Sequence, residues 1–250
     1  IKELDVYQRI AEIDSSNTSL LTTLGERWLS EGMEQQAHTS FQAAGDEFFK
    51  QGDYEHALAA YLKAQATHPD DHKTLAAIAS TCAMQGRAES AIPVLLESLA
   101  RNPGDAEMYG VLGSAYLTAG LLEDAEHAFQ DQLALDSGAY HNLLNLGEKF
   151  LECGAVDRAV GQIDRFVDTL IANRREKDAI DFLHKALDSN PEHLESLRTL
   201  ALIFRRVREG FNLVRTLNAL ADVAMRQGSR DEAIKALEEL CLLEPHETAH

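Results

Sequence analysis

The stretch HPDDH, residues 68 to 72, sets His68 and His72 four residues apart, the spacing at which two imidazoles on one helix face can share a metal ion. Pro69 lies between them and cannot continue a helix, and Asp70 and Asp71 are turn formers, so the segment reads as a solvated turn. His246 and His250 repeat the spacing in the tail and carry no more weight. The densest basic cluster is FRRVREG, with Arg205, Arg206 and Arg208; Arg174, Arg175 and Lys177 stand at the corresponding turn one unit earlier. These charges could dock an anion, but cations also favour helix C-terminal ends, and solvated turns are the reading adopted. Neither GxGxxG nor GxxxxGK[ST] occurs, so no phosphate loop is assigned. Cys82, Cys153 and Cys241 lie far apart among apolar residues and read as free buried thiols of a reducing compartment. No catalytic residue, metal site or cofactor is assigned, and the chain is expected not to be an enzyme.

The elements that must position any binding residues are periodic. Gly52, Gly86, Gly120 and Gly154 recur every 34 residues, as do Ala57, Ala91, Ala125 and Ala159, and Gly45, Ala79, Gly113 and Gly147. Pro69 and Pro103 keep the same step, and Pro191 and Pro245 close their segments in the way that Pro69 closes its own. Each unit carries apolar residues at three- and four-residue intervals on both sides of its glycine, the signature of two amphipathic helices. Within residues 72 to 105, Leu75, Ile78, Ala79 and Cys82 form one stripe, and Ala91, Leu95 and Leu99 the other. The glycine supplies a left-handed turn, Asp53 after Gly52 is an N-cap candidate, and Pro69 ends its helix. Gly113 and Ala125 allow close helix approach, while Tyr116 and Phe129 are expected to fill the space between pairs. Pro93 lies early in its helix and predicts a local kink.

This pattern resembles the tetratricopeptide repeat: a 34-residue period, small residues at tight contacts and proline at the close. The resemblance implies an all-α fold, an α-solenoid in which about 14 antiparallel helices form a right-handed superhelix, one solenoid over residues 1–250. One departure is informative. After Trp28, Gly32, Ala37 and Phe41 no closing proline follows; Phe41, Gly45 and Phe48 already begin the next register, so MEQQAHTSFQAAGDEFFKQG reads as one helix of about 18 residues serving both roles. The same fusion recurs in VDRAVGQIDRFVDTLIANRR and FNLVRTLNALADVAMRQG, giving a second period of 54 residues in which Leu143 matches Leu197, Phe166 Leu220, Ala179 Ala233 and Pro191 Pro245. Three-helix units are therefore expected at 18–71, 140–193 and 194–247, flanking helix pairs at 72–105 and 106–139. Residues 1–17 match only the second helix of a repeat, with Tyr7 and Ile10 on its packing stripe, which suggests a segment of a longer array.

The chain has 41 Asp and Glu against 23 Lys and Arg, a formal charge of -18, which opposes binding to nucleic acid or anionic membrane. The excess is concentrated at residues 1–139, with 22 acids and 8 bases. No apolar run approaches a membrane span, no signal peptide is apparent, and a cytoplasmic location is expected. In proteins resembling this family the first helix of each pair lines a concave face. That places Lys73, Ala76, Ala77, Ser80 and Met84, then Glu107, Gly110, Val111, Ser114 and Thr118, on a groove that His141, Leu144, Asn145 and Glu148 extend. Small side chains leave room for a peptide or helix, and Met84 adds an adaptable apolar contact. Glu107, Glu148 and Asp46 oppose nucleic acid there. Relatives that hold chaperone C-termini use a Lys, Asn and Arg clamp; Gly110 and Ser114 stand at its leading places and only Asn145 matches, so that clamp is absent. The expected function is noncatalytic binding of a partner protein or peptide, in the setting of bacterial pilus, motility or polarity scaffolds. The alternatives are self-association through a repeat edge and an accessory substrate-recruiting domain of a larger enzyme.

Overall fold

Among the described residues, eight of the twelve connections between helices use one left-handed residue, and glycine supplies six of them: Gly32, Gly52, Gly86, Gly120, Gly154 and Gly228 have φ between 68° and 79°. At Gly52 the geometry closes the preceding helix, because Gly52 N–H donates to Phe49 O at 3.0 Å and Asp53 N–H to Phe48 O at 3.0 Å. Asp53 then caps the next helix, its carboxylate accepting from His56 N–H at 3.2 Å. Two such turns carry arginine instead: Arg174 at φ 56° and Arg208 at φ 62°.

In the computed structural model, residues 16–243 are described, and among them thirteen α-helices and no strand occur. The chain divides into two compact units, 1–136 and 137–250. The first holds α1 (Thr18–Ser30), α2 (Glu34–Lys50), α3 (Tyr54–Thr67), α4 (His72–Met84), α5 (Ile92–Arg101), α6 (Ala106–Thr118) and α7 (Leu122–Leu135). The second holds α8 (Tyr140–Glu152), α9 (Val156–Ala172), α10 (Glu176–Ser189), α11 (Leu194–Val207), α12 (Gly210–Gln227) and α13 (Arg230–Leu243). The fourteenth helix, expected within residues 1–17, and the His246 and His250 pair lie outside the described residues. The three fused helices are single and unbroken: α2 and α9 have 17 residues and α12 has 18.

The expected stripes form the core. Leu75, Ile78, Cys82, Ala91, Leu95 and Leu99 are all buried in one cluster with Ala57 and Tyr61 of α3 and Met108 and Leu112 of α6. Trp28, Phe41 and Ala44 anchor a second cluster over α1–α3. Close approach is governed by rings lying on glycine. A Cβ on Gly25 would meet Phe41 at 2.6 Å, one on Gly45 would meet Tyr61 at 2.5 Å, and one on Gly113 would meet Phe129 at 2.4 Å. Phe129 therefore fills its own pair, between α6 and α7, instead of the space between pairs, because Gly113 leaves it a seat there.

Two further expectations change. Pro93 does not kink a longer helix: residues Ala88–Ala91 form a 3₁₀ turn and α5 begins at Ile92, so the proline sits in the first turn, where its missing N–H costs nothing. Of the three thiols only Cys82 is buried; Cys153, the C-cap of α8, and Cys241, on the outer side of α13, are exposed. Burial pushes the Cys82 thiol pKa up, which keeps it protonated and unreactive.

Candidate functional site

In the first unit α2, α4 and α6 form a row linked by polar contacts between successive first helices. Gln42 of α2 donates to Asp71 and Thr74, both at 2.8 Å, and Asp71 in turn caps α4 by accepting from Thr74 N–H at 2.8 Å. Lys73 reaches back to Asp46 at 3.3 Å, and Asp46 also accepts from the Tyr61 hydroxyl at 2.8 Å. Burial, reinforced by that bond to a carboxylate, raises the Tyr61 pKa. Toward α6, His72 Nδ1 faces Glu107 at 2.9 Å and Nε2 faces Asp105 at 2.5 Å. The Glu107 bond is the largest influence and raises the His72 pKa, partial burial opposes it, and Asp105 adds to it.

Between these links α4 and α6 pack together and present the expected groove positions. Lys73, Ser80, Met84, Glu107, Ser114 and Thr118 are exposed, and Ala76, Ala77 and Val111 are half-buried. Gly110 is the exception: it is buried, and the Gln132 side chain occupies the place its Cβ would take, 2.4 Å away. The small residue serves packing against α7 and offers no open floor. Ser114 and Thr118 donate to the carbonyls of Gly110 and Ser114, both at 2.8 Å, so their hydroxyls are turned onto their own helix. The surface left is shallow, short-chained and low in competing donors, with Met84 at its end 55% exposed.

In the second unit His141 and Asn145 are exposed on α8, with Leu144 and Glu148 half-buried beside them. Glu148 is tied to Lys185 of α10 at 2.5 Å. The same brace joins the first and third helices of the first three-helix segment, Glu26 to Lys63 at 2.6 Å. In the last segment Leu202 and Glu239 stand at those two places, and the brace moves to Arg205–Glu239 at 2.6 Å and Arg198–Glu232 at 2.8 Å. These pairs border a cleft of ≈ 690 Å³ between α11 and α13, floored by Leu202, Leu217 and Leu220. The 54-residue alignment of Glu148 with Leu202 is the sequence signal that marks this cleft, a leucine standing where the other two segments carry the glutamate of the brace.

Three members of the basic clusters are engaged in ion pairs within the chain. Arg205 pairs with Glu239, Arg206 with Asp168, and Arg175 with Asp178 at 2.9 Å, while Arg174 and Arg208 are the left-handed turn residues. One array has the residue order of a nucleophilic triad: His193 Nε2 lies 2.8 Å from Asp157, and Nδ1 lies 2.8 Å from Ser196 Oγ. Ser196, however, is wholly buried, and its backbone N–H also points at Nδ1, at 3.2 Å. The imidazole is thus an N-cap for α11 whose Nε2–H is held by Asp157, a structural use of the same chemistry. His68 and His72 do not converge: His68 leans on the His38 ring with centroids 4.5 Å apart, and His72 is engaged with α6. Among the described residues no group of three His, Cys, Asp or Glu side chains could hold a metal ion, and no helix is long and apolar enough to cross a membrane.

Tetratricopeptide repeat models match residues 43–106, 77–142 and 214–247. No curated relative matches in sequence. Among solved structures, a MamA protein is 22% identical with a TM-score of 0.42, covering 85% of this chain and 97% of that one. PilF of Pseudomonas aeruginosa is 16% identical with a TM-score of 0.42, covering 86% and 95%. YrrB, described as a TPR protein with an unusual peptide-binding site, is 16% identical with a TM-score of 0.39, covering 77% and 96%. The family matches span more than half of the residues, and they fall on the helix pairs whose glycines, caps and buried stripes are described above; the chain belongs to the tetratricopeptide repeat family.

Proposed function

We propose that the chain is a noncatalytic scaffold that binds a segment of a partner polypeptide along α4 and α6. The observation that carries this is the continuous, shallow surface of Ser80, Met84, Ser114 and Thr118, half-floored by Ala76, Ala77 and Val111 and bounded by Lys73 and Glu107. Short side chains let a peptide backbone or helix approach closely. The polar links at Gln42, Asp46 and His72 hold the row rigid, so ordering costs fall mainly on the partner. His141, Leu144, Asn145 and Glu148 form a separate patch of the same kind on α8 in the second unit.

A photo-crosslinking side chain placed at Ser114, compared with one at Glu97 on the outer helix α5, tests this reading. A partner should be trapped at Ser114 and not at Glu97, and the double variant Ser80→Arg and Ser114→Arg should reduce its capture about ten-fold, roughly 1.4 kcal/mol. A partner trapped equally at both positions, or retained fully by the double variant, would reject the groove.

A further inference from the structure

Two turns of the second unit hold arginine in a backbone conformation that the chain elsewhere gives to glycine. Arg174, between α9 and α10, has φ 56°, and Arg208, between α11 and α12, has φ 62°. Each three-helix segment contains both turns, and the other segments place Gly52 and Gly228 where Arg174 stands, and Gly32 and Gly154 where Arg208 stands, all with positive φ. A side chain at such a position carries a cost that glycine avoids, and residues held against that cost cluster at functional sites. The packing brings the two turns to one end of the unit. α9 and α11 run parallel and side by side, their contacts following in order along both: Asp157 with His193 at 2.8 Å, then Asp164 with Thr199, then Asp168 with Arg206. Their C-terminal ends therefore coincide, and Arg174 and Arg208 lie within two residues of those ends.

The ion pairs of this end leave three cations over. Arg175, Arg205 and Arg206 are bound to Asp178, Glu239 and Asp168, whereas the side chains of Arg174, Lys177 and Arg208 are exposed and have no partner among the described residues. Of the carboxylates flanking the two turns, Asp168 and Asp178 are neutralised by those pairs, Glu209 accepts from the Asn212 side chain at 2.8 Å, and Glu176 is half-buried at the start of α10. Three unpaired cations thus stand against two carboxylates, in a chain whose total is -18. We propose that this end of the second unit docks a short acidic peptide segment of a partner protein, held by Arg174 and Arg208, with Lys177 adding to the field. Guanidinium groups suit carboxylates because each can donate two N–H groups to one of them. A short segment senses chiefly the charges within the screening length of about 8 Å, whereas a long polyanion meets the negative field of the whole chain. The site rests on residues of the second unit alone and does not depend on the surface along α4 and α6.

The test is fluorescence anisotropy with the intact protein and a fluorescein-labelled hexaglutamate peptide, with labelled hexaglutamine as the control. Hexaglutamate should bind saturably and more weakly as salt is raised, and hexaglutamine should bind at least ten-fold more weakly. Arg174→Gly combined with Arg208→Gly restores the residue that the other segments carry, so Tm should not fall, while affinity for hexaglutamate should drop ten-fold or more. Lys50→Gln combined with Arg87→Gln removes two cations from the first unit, changes the net charge by the same amount and should leave the affinity within about two-fold. Absence of saturable binding, equal binding of the two peptides, binding that survives the glycine pair, or an equal loss in both double variants would overturn the proposal. Tighter binding of a labelled oligothymidylate of similar charge would assign the site to nucleic acid and overturn it as well.

Discussion

His72 sits between two carboxylates from the next pair, and both of its ring nitrogens face an oxygen. A neutral imidazole has one N–H, so the double contact favours the cation, and the Glu107 bond raises the pKa in the folded chain against the opposing effect of partial burial. Its unfolded reference is about 6.5. The sign follows: a pKa raised by folding gives stabilisation that is complete below the unfolded value and is lost as pH climbs through the folded one. His72→Gln should therefore lower the urea midpoint most near pH 5.5, by the equivalent of about 0.5–1 kcal/mol for a partly exposed pair, and least near pH 9. A difference that stays constant with pH would show that the ring is neutral. Arg174 and Arg208 make a different point at the same scale. The turn needs a positive φ whether or not glycine supplies it, and the structure holds arginine there at a cost of roughly 1 kcal/mol.

Helices in this chain approach through glycine seats. Gly25 with Phe41, Gly45 with Tyr61, and Gly113 with Phe129 all place a ring where a Cβ would clash, the ring sixteen positions after its seat in each case. In the pair α4 and α5 the same two places hold Ala79 and Leu95, a larger seat with a smaller occupant, and Leu95 is fully buried there. Gly113→Ala should therefore destabilise the protein by about 1–3 kcal/mol through overpacking. Adding Phe129→Leu should recover part of that loss, although Phe129→Leu alone is destabilising. Urea denaturation of the four proteins of this cycle measures the coupling, and additive losses would mean that ring and seat do not interact. The second three-helix segment shows the geometry is a choice: Gly147 is covered by Phe182, 35 residues away on α10, and not by Ile163 on the next helix.

At the scale of the molecule, each compact unit carries its own buried helices, and the single tryptophan, Trp28, lies in the first. Tandem-repeat stability is a sum of local terms and nearest-neighbour interfaces, so separate cores can unfold separately. Tryptophan fluorescence should then report the first unit alone, while far-ultraviolet circular dichroism reports both. The two signals are expected to give non-coincident urea transitions, and coincident ones would show a single cooperative unit. Acidity is also unevenly held: α6 and α7 contain no lysine or arginine. A partner at the α6 side of the groove gains by carrying positive charge.

The repeat period, the turn glycines, the fused helices and the core stripes were legible in the sequence, because each is a local rule: a φ only glycine adopts easily, a spacing only a helix satisfies, a proline that stops one. Position along a helix face was legible too, which is why Ser80, Ser114 and Thr118 are exposed where expected. Burial by a neighbour was not. Gly110 is closed by Gln132, Cys153 and Cys241 are open, and the arginines of α11 are spent on carboxylates about 34 residues ahead or 38 behind in sequence. Those outcomes depend on which helix lies across the face in question. Periodicity along one chain states that a face must be covered, and only the packed structure says by what.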